Sequence, residues 1–378
     1  MSTSETETDL PVIVPLFRDL FVIMDPGRDQ DDEDVLVGLN RFIRLEILNV
    51  LGVVANLAPS RQRARLAKGS LDILGQRTAT IPVGIGTSCN QKDDDGLDYQ
   101  FAVGYLAEND QLTDGKELIY NTLKDARPKS IVLLLISGLT DCAAVLREHH
   151  YLFSQAVRRV VIMGGVEVKD GQPVLDEEGR ILPDLTAQNN AFDKEAAIFL
   201  YRQLQDMQIP ITTVTRHSAV AAKVPRSVYD EMAATGHPVG IRLLEAQKQA
   251  IEELWRRACL PADDEKRQGL PARCDRDWFL NTFCAGQGKK RKATDSIWDI
   301  VQTFNLYDPC TLVATIPNLR EHFFAPFVSE VRGVEHLVIG VSAQAHNVRA
   351  PSELADFLKQ MLVASLNASL VELETKVA

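Results

Sequence analysis

Six acidic side chains crowd the ten positions from Asp25 to Asp34. They follow an apolar run, Phe21-Val22-Ile23-Met24, and are interrupted by a Pro26-Gly27 turn. Carboxylates this close repel one another unless something neutralises them. The positive end of a following helix stabilises first-turn acids by about 0.3–1 kcal/mol each. A hard cation such as Ca²⁺ or Mg²⁺ does more, because it takes several oxygen ligands at once. One reading makes Asp29 to Asp34 helix-cap and first-turn acids on a solvated face, since helix starts favour such residues. That explains Asp31 and Asp32. It leaves Asp25 unexplained, because Asp25 belongs to the strand end before the turn. Ligands of open α/β sheets bind at the carboxyl ends of the strands, so the segment reads as a cation site.

Such a site needs a scaffold, and the pattern supplies one. Apolar, β-branched runs predict strands at Leu20–Met24, Ile47–Val54, Ile131–Ile136, Val160–Met163, Ile211–Val214 and His336–Val341. Amphipathic spacing predicts a helix after Asp34 and others at Arg61–Leu74, Leu139–Arg147, Asp193–Leu204, Ile241–Arg257 and Ser352–Leu366. Strands alternating with helices imply an α/β protein, a parallel sheet covered on both faces. The expected organisation is a disordered tail over residues 1–14 and a single domain over 15–378, with a charged insertion near 260–280. That insertion, Asp263 to Asp277, is mixed in sign and reads as a linker or a lid. Asp93-Asp94-Asp95-Gly96 reads as a surface loop, because the 12-residue spacing of a calcium loop is missing.

Composition excludes several classes. The chain of 378 residues is 45% hydrophobic, enough for a large core, yet no apolar run nears the roughly 18 residues that span a membrane. A net charge of −11 argues against nucleic acid, which calls for a basic footprint. Six scattered cysteines without a C-x-x-C pair suit a reduced, cytoplasmic compartment with buried thiols. Met1 to Asp9 lacks the basic and apolar regions of a signal peptide.

Other predicted strand ends carry groups for the same cleft. Val53-Val54-Ala55 ends in Asn56, and Ile131–Ile136 in Ser137-Gly138-Leu139-Thr140-Asp141. Met163-Gly164-Gly165 lets a ligand approach the backbone. The Asp184-to-Asn190 segment is rich in hydroxyls and amides suited to sugar hydroxyls, and Tyr307-Asp308-Pro309 returns an acid far along the chain. Singly, each has a structural explanation: Asn56 caps a helix, Thr140 and Asp141 begin one, Gln188 to Asn190 precede another. Their joint appearance at strand ends favours function.

Taken together, Asp25-Pro26-Gly27, Asp31-Asp32, Val54-Ala55-Asn56, Gly138-Leu139-Thr140, Met163-Gly164-Gly165, Ala187 to Asn190 and Tyr307-Asp308-Pro309 resemble the signature of the nucleoside hydrolases, the inosine-uridine preferring, calcium-dependent N-ribohydrolases. The resemblance runs in the family's order over roughly residues 20–320. It implies a doubly wound, mostly parallel, Rossmann-like sheet with helices on both faces and the site at its carboxyl edge. By that resemblance Asp25 is calcium ligand and general base. Asp32, Asp308 and the Thr140 carbonyl complete the calcium site, and Asp31, Asn56 and Asn190 hold ribose hydroxyls. Met163, Asp184, Gln188 and Trp278 are further substrate-binding candidates, Trp278 by stacking from the insertion with Arg273, Asp275 and Arg276 beside it. Arg216 and His217, after the strand Ile211–Val214, are placed to reach the cleft.

The departures are as informative. Ile23 stands where the family has an Asp. Arg28-Asp29-Gln30 lengthens the turn, so Asp29 competes with Asp31. Gln188 replaces a Glu that binds the ribose 5′ hydroxyl, and Asp184 stands for an Asn. Tyr307 replaces a His that assists the leaving base, and Tyr titrates near 10 rather than 6.5. With Val-Ala-Asn-Leu-x-Pro-Ser at Val54 to Ser60, these features resemble the divergent branch that includes plant-pathogen effectors of the XopQ type. The implied function is calcium-dependent cleavage of the N-glycosidic bond of a ribonucleoside or modified ribosyl compound. The alternative is a catalytically weakened module that binds ribose or ADP-ribose or acts through protein contacts. The partner is a small ribosyl molecule rather than nucleic acid or membrane, and a homo-oligomer is compatible. A phosphohydrolase would need a second Asp two residues after its nucleophile, where Asp25 has Gly27.

Overall fold

The computed structural model describes residues 18–89, 101, 103–267 and 270–377. The Asp93-Asp94-Asp95-Gly96 loop and the expected tail at 1–14 lie outside the described residues. Nine strands form the main sheet: β1 (Arg18–Met24), β2 (Leu48–Ala55), β3 (Val83–Ile85), β4 (Thr113–Asp114), β5 (Ile131–Leu135), β6 (Val157–Gly164), β7 (Ile211–Thr215), β8 (Phe327–Val331) and β9 (Val334–Ile339). Their order across the sheet is β8-β9-β7-β6-β5-β1-β2-β3-β4. All neighbours run parallel except β8 and β9 at one edge. The main helices are α1 (Asp31–Arg44), α2 (Ser60–Leu74), α3 (Gly115–Asp125), α4 (Thr140–Glu148), α5 (Lys194–Asp206), α6 (Ser227–Ala234), α7 (Pro238–Ala258), α8 (Arg276–Phe283), α9 (Tyr307–Thr315) and α10 (Pro351–Val377).

Two-residue alternation divides the core between the sheet's faces. In β1, Leu20, Val22 and Met24 enter one apolar cluster, with side chains from α1, α2, α6, α7, α9 and α10. Phe21 and Ile23 enter the other, with α3, α4 and α5. In β5, Val132 and Leu134 go one way and Ile131, Leu133 and Leu135 the other. A parallel sheet buried on both faces reads as a continuous apolar run, as these strands do. This is the doubly wound α/β architecture expected from the sequence.

The chain builds outward from β1 through β2, β3 and β4, then returns to place β5 on the other side of β1. The strand order therefore reverses between β1 and β5, which opens the crevice where such sheets bind ligands. Each predicted strand and helix is found within a few residues of its expected ends, except that α10 runs well past Leu366. β3 and β4 were invisible because three- and two-residue strands carry no periodicity. α9 was hidden because Asp308 to Thr315 are all buried, so no polar stripe marks a period.

A carboxylate cluster at the switch of the sheet

β1 delivers Asp25 to the crevice, and the chain turns at once through Pro26 and Gly27. Gly27 sits at φ +127°, which L side chains rarely adopt. Helix α1 then begins, and its first turn splits its acids. Asp31 and Asp32 meet Asp308, from the first turn of α9, with one carboxylate oxygen of each lying within 4.8 Å of the others. The Asp308 backbone N–H donates to Asp31 Oδ2 at 3.4 Å, and the Asp25 N–H donates to Asp32 Oδ1 at 2.8 Å. Glu33 and Asp34 turn away. Glu33 pairs with Arg242 of α7 at 2.9 Å, and Asp34 accepts from the Tyr229 hydroxyl of α6 at 3.1 Å.

These acids are therefore not on a solvated face. Asp32 is 3% exposed and Glu33 and Asp34 are 0% exposed. Helices packed over α1 cover the first turn, which spacing alone does not reveal. Asp29 is exposed, and Asp31 rather than Asp29 joins the cluster.

Burial dominates the electrostatics. It pushes Asp25 up to about 6, with Asp29 adding to the rise and Arg63 opposing it. It pushes Asp31 to about 7, with Asp29 and Asp25 adding. Asp32 and Asp308 are held well above the carboxylate range by burial and then by their acidic neighbours. Such a site favours protons or a cation. The donor set is all oxygen, and separations up to 4.8 Å suit a shell of about 2.3–2.6 Å radius. The residues present fit a hard divalent ion.

Asp25 stands beside this group rather than within it. Its Oδ2 lies 3.7 Å from Arg63 Nη1, and the same guanidinium donates to the Asp25 carbonyl, to Pro26 O at 3.1 Å and to Ala58 O at 3.3 Å. Arg63, 5% exposed on α2, was missed by sequence reasoning. It is one of three alternate arginines, Arg61, Arg63 and Arg65, and nothing in their spacing says which turns inward.

The family profile of the inosine-uridine preferring nucleoside hydrolases matches residues 22–354. The chain belongs to this family. Among solved structures, this nucleoside hydrolase family member is similar to the type III effector protein XopQ complexed with adenosine diphosphate ribose, at 30% identity over 93% of both chains and a TM-score of 0.77. It is likewise similar to the effector protein XOO4466, at 29% identity over 93% of this chain and 94% of that one, with a TM-score of 0.77. An inosine-uridine preferring nucleoside hydrolase from Bacillus anthracis shares the fold at 16% identity, covering 93% and 99% of the two chains with a TM-score of 0.55. No protein of curated function matches.

The other expected residues of this family member fall at the same edge with varied commitments. Asn56 ends β2 and is fully engaged. Its amide donates to Gly138 O at 2.9 Å and Asp141 Oδ2 at 2.8 Å, and its oxygen accepts from Ser137. Thr140 starts α4, and its hydroxyl donates to Asp193 at 2.8 Å. Gly164 and Gly165 admit the chain's own loop: a Cβ on Gly165 would lie 2.8 Å from Ala187 Cβ. Asn190 closes that loop, donating to Gly165 O at 3.0 Å and Asp184 O at 2.9 Å, while its buried Oδ1 has no partner among the described residues. The Asp184 carboxylate accepts from Thr186 N and Oγ1. Met163 ends β6 half-buried, its carbonyl accepting from Asn189 at 3.1 Å, and Gln188 is exposed.

Tyr307 opens α9 one residue before Asp308. Its hydroxyl accepts from Asn305 at 3.2 Å, and burial pushes it up to about 12. The charges of Asp31, Asp29 and Arg216 act on it, which puts exposed Arg216 at the same mouth. In the insertion, Asp275 caps α8 by accepting from Trp278 N at 2.8 Å. Arg276 donates to Lys289 O and Arg291 O. Trp278 is half-buried, edge-on to Phe283 with centroids 5.8 Å apart. All six cysteines are unpaired. Among the described residues no helix is long and apolar enough to cross a membrane.

Proposed function

We propose that this protein hydrolyses the N-glycosidic bond of a ribonucleoside or modified ribosyl compound in a calcium-dependent reaction. The convergence of Asp31, Asp32 and Asp308 from segments 277 positions apart, with Asp25 beside them at the sheet's switch point, carries the reading. Asp25, Asp32, Asp308 and the Thr140 carbonyl would hold the ion, and Asp31, Asn190 and Asn56 would order the ribose. Met163, Asp184, Gln188 and Trp278 are the proposed remainder of the substrate wall. Calcium, when bound, supplies a Lewis acid that lowers the pKa of coordinated water and anchors sugar hydroxyls.

The side chains do the rest. Asp25 accepts the proton of the attacking water, whose oxygen forms the new bond to C1′. The C1′–N bond breaks with its electron pair on the base nitrogen, and the surrounding carboxylates stabilise the positive charge that develops on the ribose. Arg63 keeps Asp25 oriented and opposes its protonation. Tyr307 holds its proton to about 12, so it donates a hydrogen bond to the departing group rather than surrendering a proton. That chemistry suits a leaving group that departs without protonation.

A second reading has two supports. The XopQ structure contains adenosine diphosphate ribose, and the exposed neutral amide of Gln188 tolerates a substituted ribose 5′ position. A ribosyl-binding module with little turnover would keep the ion and the ribose contacts. The test follows ribose release from nitrophenyl riboside, a nucleoside panel and ADP-ribose, with calcium and then chelator, using Asp25→Ala as blank. Chelator-sensitive release lost in the variant is expected. Calcium-dependent binding of ribose or ADP-ribose without release from any compound would replace the enzyme reading with the binding module.

A further inference from the structure

At the opposite, amino edge of the sheet four arginines line one cavity of about 240 Å³: Arg18 at the start of β1, Arg158 and Arg159 at the start of β6, and Arg320 just after α9. None of the four forms an ion pair within 4.0 Å among the described residues. Arg159 donates to Thr212 Oγ1 at 2.8 Å and Arg320 to Ala314 O at 3.1 Å. The carboxylates that act on this corner, Glu321 on Arg18 and Arg320 and Glu335 on Arg159, are exposed and unpaired with them. His336, 0% exposed and acted on by the charge of Arg159, accepts at Nδ1 from Ile211 N at 3.2 Å. Its remaining proton therefore sits on Nε2, a buried donor with no acceptor among the described residues. This corner holds an excess of donors and positive charge in a chain of net charge −11.

We propose that this cavity is a binding site for a multiply charged phosphate, a di- or triphosphate group held by the four guanidinium forks. Arginine presents paired N–H donors that match phosphate oxygens bidentately. Four such groups around one small cavity repel one another unless an anion of comparable charge sits among them. The mutual repulsion is visible in Arg159, pushed down to about 10 by burial and then by Arg320 and Arg158. The site is separate from the carboxylates, since β1 alone spans about 20 Å between the two edges. α9 links the two as β1 does, with Asp308 in its first turn and Thr315, at its far end, lining the cavity.

The test titrates the full chain with sodium pyrophosphate by calorimetry, in chelator so that no divalent ion bridges ligand and carboxylates. Inorganic phosphate and chloride at matched ionic strength are the comparisons, and no turnover is read. One pyrophosphate per chain is expected, with phosphate at least tenfold weaker. ADP binding as tightly as pyrophosphate would name a nucleotide as the source, and pyrophosphate alone an inorganic ion. Arg18→Gln with Arg158→Gln should weaken binding at least tenfold, and Arg320→Lys, which keeps the charge and loses the fork, should weaken it less while the melting profile is retained. Asp32→Asn should leave the affinity unchanged. Heat matched by chloride, affinity indifferent to all three arginine changes, or affinity lost in Asp32→Asn would each overturn the proposal.

Discussion

At the carboxyl edge of the sheet, Asp31, Asp32 and Asp308 converge with Asp25 beside them, and one arginine, Arg63, braces the turn. At the amino edge, four arginines line a cavity with no ion-paired carboxylate among the described residues. The first turn of α1 offers a third case within the same helix. There Glu33, equally buried, is paired with Arg242, while Asp34 accepts from the Tyr229 hydroxyl and is held well above the ordinary carboxylate range by burial. A buried charge that serves the fold comes with its partner in the chain, because an unpaired one costs several kcal/mol. A cluster of one sign left without partners marks a place where the counter-charge comes from outside.

The comparison breaks most sharply at Asp25. Asp25→Asn should slow ribose release by roughly 10²–10⁴-fold, the usual worth of a positioned base, and should weaken calcium-dependent stabilisation in thermal melts, since Asp25 is also a proposed ligand of the ion. Equal rates in variant and parent would remove Asp25 from catalysis. Next comes the matched pair. Arg242→Ala strands a buried Glu33 and should cost about 3–5 kcal/mol in urea unfolding, with ribose release per folded molecule unchanged. A cost like that of a surface change would mean that Glu33 is solvated.

The ion itself gives the third outcome. In chelator, Asp25 and Asp31 have folded values of about 6 and 7 against an ordinary 3.8. A raised carboxylate contributes stability that is full below the ordinary value and lost as pH rises through the folded one. The ion-free protein should therefore melt progressively lower between about pH 4 and 7. Calcium at 100 times its Kd should restore about 2.7 kcal/mol and flatten that slope, and Asp32→Asn should abolish the rescue. The smallest effect belongs to the amino edge. Arg158→Gln relieves repulsion at an exposed residue, so stability should rise slightly, within about 0.5 kcal/mol in urea unfolding. A clear fall would show that Arg158 has a structural partner.

Much of the carboxyl edge was legible because its chemistry is local. Asp25 follows its strand directly, Asp31 and Asp32 open the next helix, and Tyr307-Asp308-Pro309 is itself a short signature. The strands were legible because continuous apolar runs leave few alternatives. What stayed hidden depends on partners distant in sequence. The burial of Glu33 and Asp34 comes from helices some two hundred positions on, at Tyr229 and Arg242. The Gly164-Gly165 pair read as room for a ligand is filled partly by Ala187 and Asp184. Trp278, read as a stacking surface, is half-buried beside Phe283.

By itself the sequence determined that this is an α/β chain with acids gathered at strand ends, since two-residue alternation, apolar runs and turn residues act over neighbouring positions. The tertiary structure alone decided which acids converge, that Arg63 rather than Arg61 or Arg65 turns inward, and that Arg18, Arg158, Arg159 and Arg320 meet. The physical reason is that a charge takes its energy from whatever surrounds it within a few ångströms, and in a parallel sheet those surroundings are assembled from segments hundreds of residues apart.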